Sequence, residues 1–297
     1  MDIFFTEALF WEQVIVGLST GSVYALVALA IVLIYRSTEV INFAQGEMAM
    51  FTTMVAWSLW QADLPYGLMF FAIVALGVGL GGFVELAVLR RVAGAPHLTI
   101  IIVTIGLFAI FSSMAGVIWE FDPKTFPALI EGNMDIGPAT LQRHQVAMLG
   151  IAMGLMSALY LFFRYTPLGL AMRATAQNRL ASRLMGIRVG RMLTLGWALS
   201  AAAGAIAGLL VAPIVISVSP NMMLSILLYA FAAAVLGGLD SPLGALVGGL
   251  TIGVLENLAG TYWIGPELKQ TFVLGIIVLV LVMRPTGLFG RRAAKRV

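Results

Sequence analysis

Long apolar runs recur along this chain, at roughly 14–35, 40–60, 67–89, 98–119, 145–163, 192–216, 223–239, 242–259 and 269–284, and no other feature restricts its fold so strongly. A bilayer offers backbone N–H and C=O groups no partners, so a crossing segment must pair them internally. An α-helix does this with about 20 residues. The runs have that order of length, lack strict alternation and exceed what a barrel strand holds. The sequence therefore predicts an all-α, polytopic transmembrane helical bundle, not an outer-membrane barrel. With 61% hydrophobic and 10% charged residues, the chain also lies outside the range of soluble domains.

The basic residues orient the bundle. If every run crosses and the C-terminus is cytoplasmic, the inner segments hold Arg36; Arg90 and Arg91; Arg164, Arg173, Arg179, Arg183, Arg188 and Arg191; and Arg284, Arg291, Arg292, Lys295 and Arg296. Of the 17 basic residues only Lys124, Arg143 and Lys269 then lie elsewhere, the asymmetry expected of inward-facing positive charge. About 8–9 spans result, depending on two interruptions. Gly237, Gly238, Asp240, Ser241, Pro242 and Gly244 break the run over 223–259, and INFAQGE opens the second run with groups too polar for lipid, so broken or re-entrant helices are expected at both places. One transmembrane domain over residues 1–297 is predicted, with a cytoplasmic segment 164–191 and an outward-facing loop 120–144. Asp2, Glu7 and Glu12 stand where a cleaved leader carries positive charge, so no leader is expected.

Several chemistries find no residues to perform them. There are no cysteines for thiolate or disulfide chemistry, and the two histidines, His97 and His144, fall in loops on opposite sides under this topology. Neither a catalytic centre nor a metal site is expected, and no cofactor. No G-x-x-x-x-G-K-[ST] loop occurs, so any energy from ATP has to come from another chain. The net charge of +3 reflects basic residues between spans rather than a soluble basic face, so nucleic acid is not an expected partner, whereas membrane lipid is. Gly17/Gly21, Gly77/Gly81, Gly204/Gly208, Gly244/Gly248 and Gly249/Gly253 repeat at four-residue spacing, which suits close helix packing.

The segment RYTPLGLAMRATAQNRLASRLMGIRVGR is the longest inner connection, and it is patterned as a helix outside the bilayer. Thr166 can cap, Pro167 suits the first helical position and Gly186 the exit. Leu180 with Leu184 and Ala181 with Met185 recur at i, i+4, while Arg173, Arg179 and Arg183 supply a polar face. Such a helix lies either in an apolar groove of a cytosolic partner or on lipid headgroups.

Together, TPLGLAMRATAQNRLASRLMGI, INFAQGEMAM and AVLGGLDSPLGALVGGLTIGVLEN resemble, in order and approximate spacing, the permease subunits of branched-chain amino-acid ABC importers. The resemblance runs over nearly the whole chain. It implies that the first block is the segment that docks on an ATP-binding cassette subunit, a role carried onto Thr166, Pro167, Gly169, Arg173, Ala174, Ala181 and Gly186. It further implies a second, paralogous permease chain, an extracytoplasmic solute-binding protein, and residence in a bacterial or archaeal inner membrane. Gln45 stands where many members carry His, which removes a titratable ring from that place.

Ionisable groups inside the membrane are costly, so Glu47, Glu85 and Glu256 are the intramembrane residues to explain. Glu85 has Arg90 close by in sequence and reads as a structural pair. Glu47 follows Asn42 and Gln45 after a helix break, and Glu256 with Asn257 ends the third block; these five residues are the candidates for a translocation pathway. An ion-coupled secondary transporter or a channel could use the same broken segments and carboxylates, but neither has a use for the capped helix after Thr166.

The topology is testable because the chain has no native thiols. Cysteines replacing Arg91, Arg188 and Arg292 should react with impermeant reagents only from the cytoplasmic side, and those replacing Lys124 and Arg143 only from outside. Inside-only labelling at position 124 would overturn the orientation.

Overall fold

The computed structural model describes residues 7–38, 40–136, 139–215 and 218–290. Among these the chain is a helical bundle: α1 (Glu7–Thr38), α2 (Gln45–Gln61), α3 (Tyr66–Ala87), α4 (His97–Trp119), α5 (Arg143–Tyr165), α6 (Pro167–Gln177), α7 (Arg179–Leu184), α8 (Val189–Val211), α9 (Met223–Gly237), α10 (Pro242–Tyr262) and α11 (Lys269–Met283). Seven helical segments are long and apolar enough to cross a membrane, those built on α1, α3, α4, α5, α8, α10 and α11. The other two apolar runs form shorter helices. With 17 residues in α2 and 15 in α9, they extend about 26 and 22 Å, less than the ~30 Å hydrocarbon core. Both adjoin the interruptions read in the sequence. A turn at 238–241 separates α9 from α10, and residues 40–44 lead into α2. The connection between α4 and α5 also contains a hairpin not expected from the sequence, β1 (Asn133–Ile136) antiparallel to β2 (Ala139–Gln142), with Asn133 opposite Gln142.

Backbone contacts divide the chain into two compact units, one formed by Met1–Val32, Ala128–Met153 and Ser225–Val297, the other by Leu33–Pro127 and Gly154–Leu224. In the second unit α8 is central. Its apolar window is 83% buried, against 22% for α4, and α2 and α3 pack along it. Sequence explains the difference: α8 carries SAAAGAIAG, with nothing bulky to hold neighbours away, whereas α4 presents Ile102, Ile105, Ile110 and Val117 outward, as a lipid-facing helix does. A methyl on Gly77 would lie 3.0 Å from the Ala205 Cβ, and one on Gly204 2.6 Å from the Gln45 Nε2. Trp197, Leu107, Phe111 and Met48 fill the core beneath these contacts.

The first unit repeats the device with different residues. Gly17, Gly21 and Ala25 of α1 lie against Gly249 and Gly253 of α10, so close that a Cβ on Gly17 would sit 2.8 Å from the Val254 Cα. Gly248 and Gly244 line the opposite approach of α10 to α9, against Ala233 and Gly237. The tight turn after α9 requires Gly238 at φ +102°, a region that other residues rarely adopt. The segment after α11 closes over it: Leu288 N donates to Leu236 O at 2.8 Å and Phe289 N to Gly237 O at 3.0 Å, satisfying carbonyls at the C-terminal end of α9 that no intrahelical amide reaches.

Gly253→Ala should therefore destabilise the protein by about 1–3 kcal/mol or more, because the added methyl meets the α1 backbone. Gly106→Ala, with open space around its α-carbon, should be neutral or slightly stabilising. Thermal unfolding of the two variants in one detergent measures the contrast, and equal midpoints would contradict the packing described.

Candidate functional site

The segment predicted to dock on a partner is two helices, not one. Its entry is as the sequence implies. Thr166 is the N-cap of α6, its Oγ1 accepting from Gly169 N at 3.0 Å, and Pro167 occupies the first turn. The Thr166 hydroxyl also donates to Phe162 O at 2.7 Å, so one side chain joins the end of α5 to the start of α6. Gly169 is required by the sharpness of that corner, since a Cβ there would lie 2.6 Å from the Phe163 Cα. The expected continuous helix then stops at Asn178. This residue is extended, at φ −155° and ψ 103°, and its Oδ1 accepts from Ala181 N at 2.9 Å, capping α7 as Thr166 caps α6. The signal was present, because Asn is among the strongest N-caps and disfavours helix interiors. Exit at Gly186 follows the prediction: φ is +80°, Gly186 N donates to Arg183 O and Ile187 N to Ser182 O, both at 3.0 Å.

The two helices pack on α8. Thr175 and Ser182 are buried, and the Thr175 hydroxyl donates to Ala171 O at 2.9 Å. The opposite face is apolar and open: Leu180, Leu184 and Met185 are 68%, 81% and 82% exposed, with Arg179, Arg183 and Arg188 around them. Ala181 belongs to this outward face, whereas Ala174 is half-buried. Arg173 is half-buried as well, its Nη2 3.4 Å from Arg164 O.

Among the proposed pathway residues in the second unit, Asn42 and Gln45 have partners that account for them. Asn42 Oδ1 accepts from Ala44 N at 3.1 Å and its Nδ2 donates to Gln45 Oε1 at 3.4 Å. Gln45 Nε2 donates to Ser200 O at 3.1 Å while Ser200 Oγ donates back to Gln45 Oε1 at 3.0 Å. This reciprocal pair clasps the start of α2 to α8, and Ser200 could not be found from sequence, lying 155 positions away. Glu47 differs. It is 2% exposed, and its Oε2 has no hydrogen-bond partner among the described residues. Burial of an unpaired carboxylate oxygen is expensive, which distinguishes this group from every other carboxylate in the bundle interior.

Glu85 is bound as its sequence position implied. Arg90 reaches it with Nη2 at 2.7 Å and Nε at 3.1 Å, a bidentate pair, and Thr194 Oγ1 lies 2.7 Å from the same carboxylate. In the first unit Glu256 is also fully engaged: Tyr24 Oη donates to its Oε2 at 3.2 Å and Lys269 Nζ stands 3.1 Å from its Oε1. Asn257 donates from Nδ2 to Gln13 O and to Gln13 Oε1, each at 2.8 Å. Glu256 and Asn257 thus tie α10 to α1 and to Lys269 at the start of α11.

The sequence profile described as branched-chain amino acid transport system, permease component, matches residues 13–281. The high-affinity branched-chain amino acid transport system permease protein LivH of Escherichia coli is 29% identical to this chain over 97% of its length and 98% of LivH. BraD of Pseudomonas aeruginosa, a permease protein of the same description, is 29% identical over 96% and 97%. The ribose import permease protein RbsC of Haemophilus influenzae is 26% identical over 82% of this chain and 76% of RbsC. No solved structure matches the chain. Helices built to cross a membrane, a capped α6–α7 connection and a family match over residues 13–281 converge: this chain belongs to the family of branched-chain amino acid transport permease components.

Proposed function

We propose that this chain is the permease subunit of an ATP-binding-cassette importer that carries branched-chain or related small amino acids into a bacterial or archaeal cytoplasm by alternating access. The observation that carries this reading is the α6–α7 connection, two capped helices anchored on α8 that expose Leu180, Leu184 and Met185 in an arginine-rich surround. Apolar side chains exposed to that degree outside the spans need a partner surface, and a cytosolic ATPase subunit supplies one. An ion-coupled transporter or a channel has no use for such a ridge.

In this mechanism ATP draws two nucleotide-binding subunits together, segment 166–187 moves with its docking groove, and the attached spans α5 and α8 move with the segment. The Thr166 clasp and the tight Gly169 corner make the α5–α6 joint stiff enough to pass that displacement on. A second permease chain completes the pathway, and an extracytoplasmic binding protein selects the solute. Branched-chain amino acids stand first because the relatives named for them match more of this chain than the ribose permease does.

Docking is tested by bulk. Ala181→Trp, on the open face, should abolish uptake and release the ATPase subunit during purification while the chain remains folded and inserted. Ala174→Trp, at a half-buried place, should do the same. A segment resting on lipid would tolerate the indole ring, so normal uptake with ATPase retained at wild-type level in both variants would remove the docking role.

The polar residues of the spans divide in a second measurement. Glu47→Gln should change the uptake rate per inserted molecule more than Glu85→Gln does, because Glu47 presents an unpaired carboxylate oxygen and Glu85 is occupied by Arg90. Glu85→Gln should instead lower thermal stability, by about 1–3 kcal/mol, since a charged guanidinium loses its counter-charge. Equal uptake by the two variants at matched membrane levels would refute the ranking.

A further inference from the structure

In the second unit, the chain that leaves α7 turns sharply before it enters α8. Gly186 makes the turn at φ +80°, and only Ile187 and Arg188 separate it from Val189 at the start of α8. A glycine corner of this kind absorbs displacement unless the helix beyond it is held from the side. It is held from α3. Glu85, in the last turn of α3, is buried and accepts from Arg90 Nε at 3.1 Å and from Arg90 Nη2 at 2.7 Å. Arg90 stands in a 3-10 turn, Leu89–Val92, just after α3, and its Nη2 also lies 3.1 Å from Gly190 O and 2.8 Å from Thr194 Oγ1. Thr194 Oγ1 is in turn 2.7 Å from Glu85 Oε2, which closes a ring of three side chains across two helices. Further along the same seam, a Cβ on Gly77 would lie 3.1 Å from Ala201 O and one on Gly81 would run into Trp197 O, so the two backbones are in contact there.

We propose that the Glu85–Arg90–Thr194 ring is the joint that passes a displacement of the α6–α7 connection on to α3, so that α8 and α3 move as one body. The proposal rests on the docking role assigned above to α6–α7. Both of those helices pack on α8, so the connection shifts only by carrying the start of α8 with it, and Gly190 and Thr194 lie in the first two turns of that helix. A bidentate guanidinium–carboxylate pair fixes direction as well as distance, and burial of Glu85 keeps water from competing for it. Satisfying the Glu85 carboxylate needs only Arg90, five residues on in the same segment. The reach to Gly190 and Thr194, in another helix, serves the tie between α3 and α8. Arg90 and Thr194 are therefore positioning residues of the transport cycle.

The test uses the complex purified with its ATPase subunit and reconstituted in liposomes, and reads ATP hydrolysed per leucine taken up, a ratio independent of how much complex is inserted. Thr194→Val, which keeps the shape and removes the hydroxyl, should raise the ratio about fivefold. Arg90→Lys, which leaves a positive charge for Glu85 without the guanidinium fork, should do the same, and Thr194→Ser should stay within about twofold of the wild type. Thr104→Val removes a buried hydroxyl that donates to Ile101 O of its own helix, and should leave the ratio unchanged. Because the chain has no native thiols, a second variant tests rigidity directly. A Cβ on Gly82 would lie 3.6 Å from Thr194 Cγ2, near enough for Gly82→Cys with Thr194→Cys to form a disulfide. Reduced, the pair should be uncoupled like Thr194→Val; oxidised, it should keep taking up leucine and return to within about twofold of the wild-type ratio. Wild-type ratios in Thr194→Val and Arg90→Lys would overturn the proposal. So would uptake halted by oxidation, since α3 and α8 would then slide past one another during the cycle. The docking role is judged by a different readout, ATPase retention in Ala181→Trp, so the two ideas fail separately.

Discussion

Helices in lipid gain little from burying apolar side chains against one another, because the surrounding acyl chains are equally apolar. What specifies their packing is how closely two backbones can approach, and that is the constraint on which this structure rests. Where α1 meets α10 and where α8 meets α2 and α3, glycines and alanines permit the closest approaches, and side-chain hydrogen bonds such as Gln45 Nε2 to Ser200 O lie beside them. The Gln45–Ser200 clasp shows the order of dependence. Gln45 fits only because Gly204, one turn along α8 from Ser200, leaves room for its amide.

The same closeness governs the charged groups. Carboxylates drawn into a bundle of this kind must be matched where they lie, and two are. Glu85 has Arg90 and Thr194; Glu256 has Lys269 and Tyr24. These pairs hold elements together, and each buried ion is stabilised by more than one hydrogen bond, the condition under which a buried pair is tolerated. Glu47 meets no such condition, which makes it the natural residue on which to rest a transport role, while Asn42, Gln45, Glu256 and Asn257 all have packing duties that explain their presence.

What the sequence disclosed was local. The long apolar runs, the breaks before α2 and after α9, the Thr166–Pro167 entry, the Gly186 exit and the Glu85–Arg90 pair all depend on residues within about one or two helical turns of each other, where spacing alone decides contact. Asn178 was equally local and was missed because Thr166–Pro167 and Gly186 read as the two ends of one helix, so the capping chemistry between them was not weighed. The partners of Gln45, Glu256 and Asn257 were not legible at all. Ser200, Tyr24 and Gln13 are brought to them by tertiary packing, and any serine, tyrosine or glutamine in a neighbouring span would have read the same. The exposed apolar ridge of α7 lies between these cases: its periodicity was visible, but which face turned outward is set by how α6 and α7 pack on α8, with Thr175 and Ser182 on the buried side.

The closure at the end of α9 bears on the order in which the protein can be built. The carbonyls of Leu236 and Gly237 wait for amides that belong to Leu288 and Phe289, so the turn between α9 and α10 leaves a ribosome with its acceptors still open. During synthesis those groups must be served by water or by the insertion machinery, because lipid cannot serve them. The pair of helices α9 and α10 therefore becomes fully compatible with the bilayer only after α11 and residues 288 and 289 have been made, which couples the turn at Gly238 to a segment about fifty residues later.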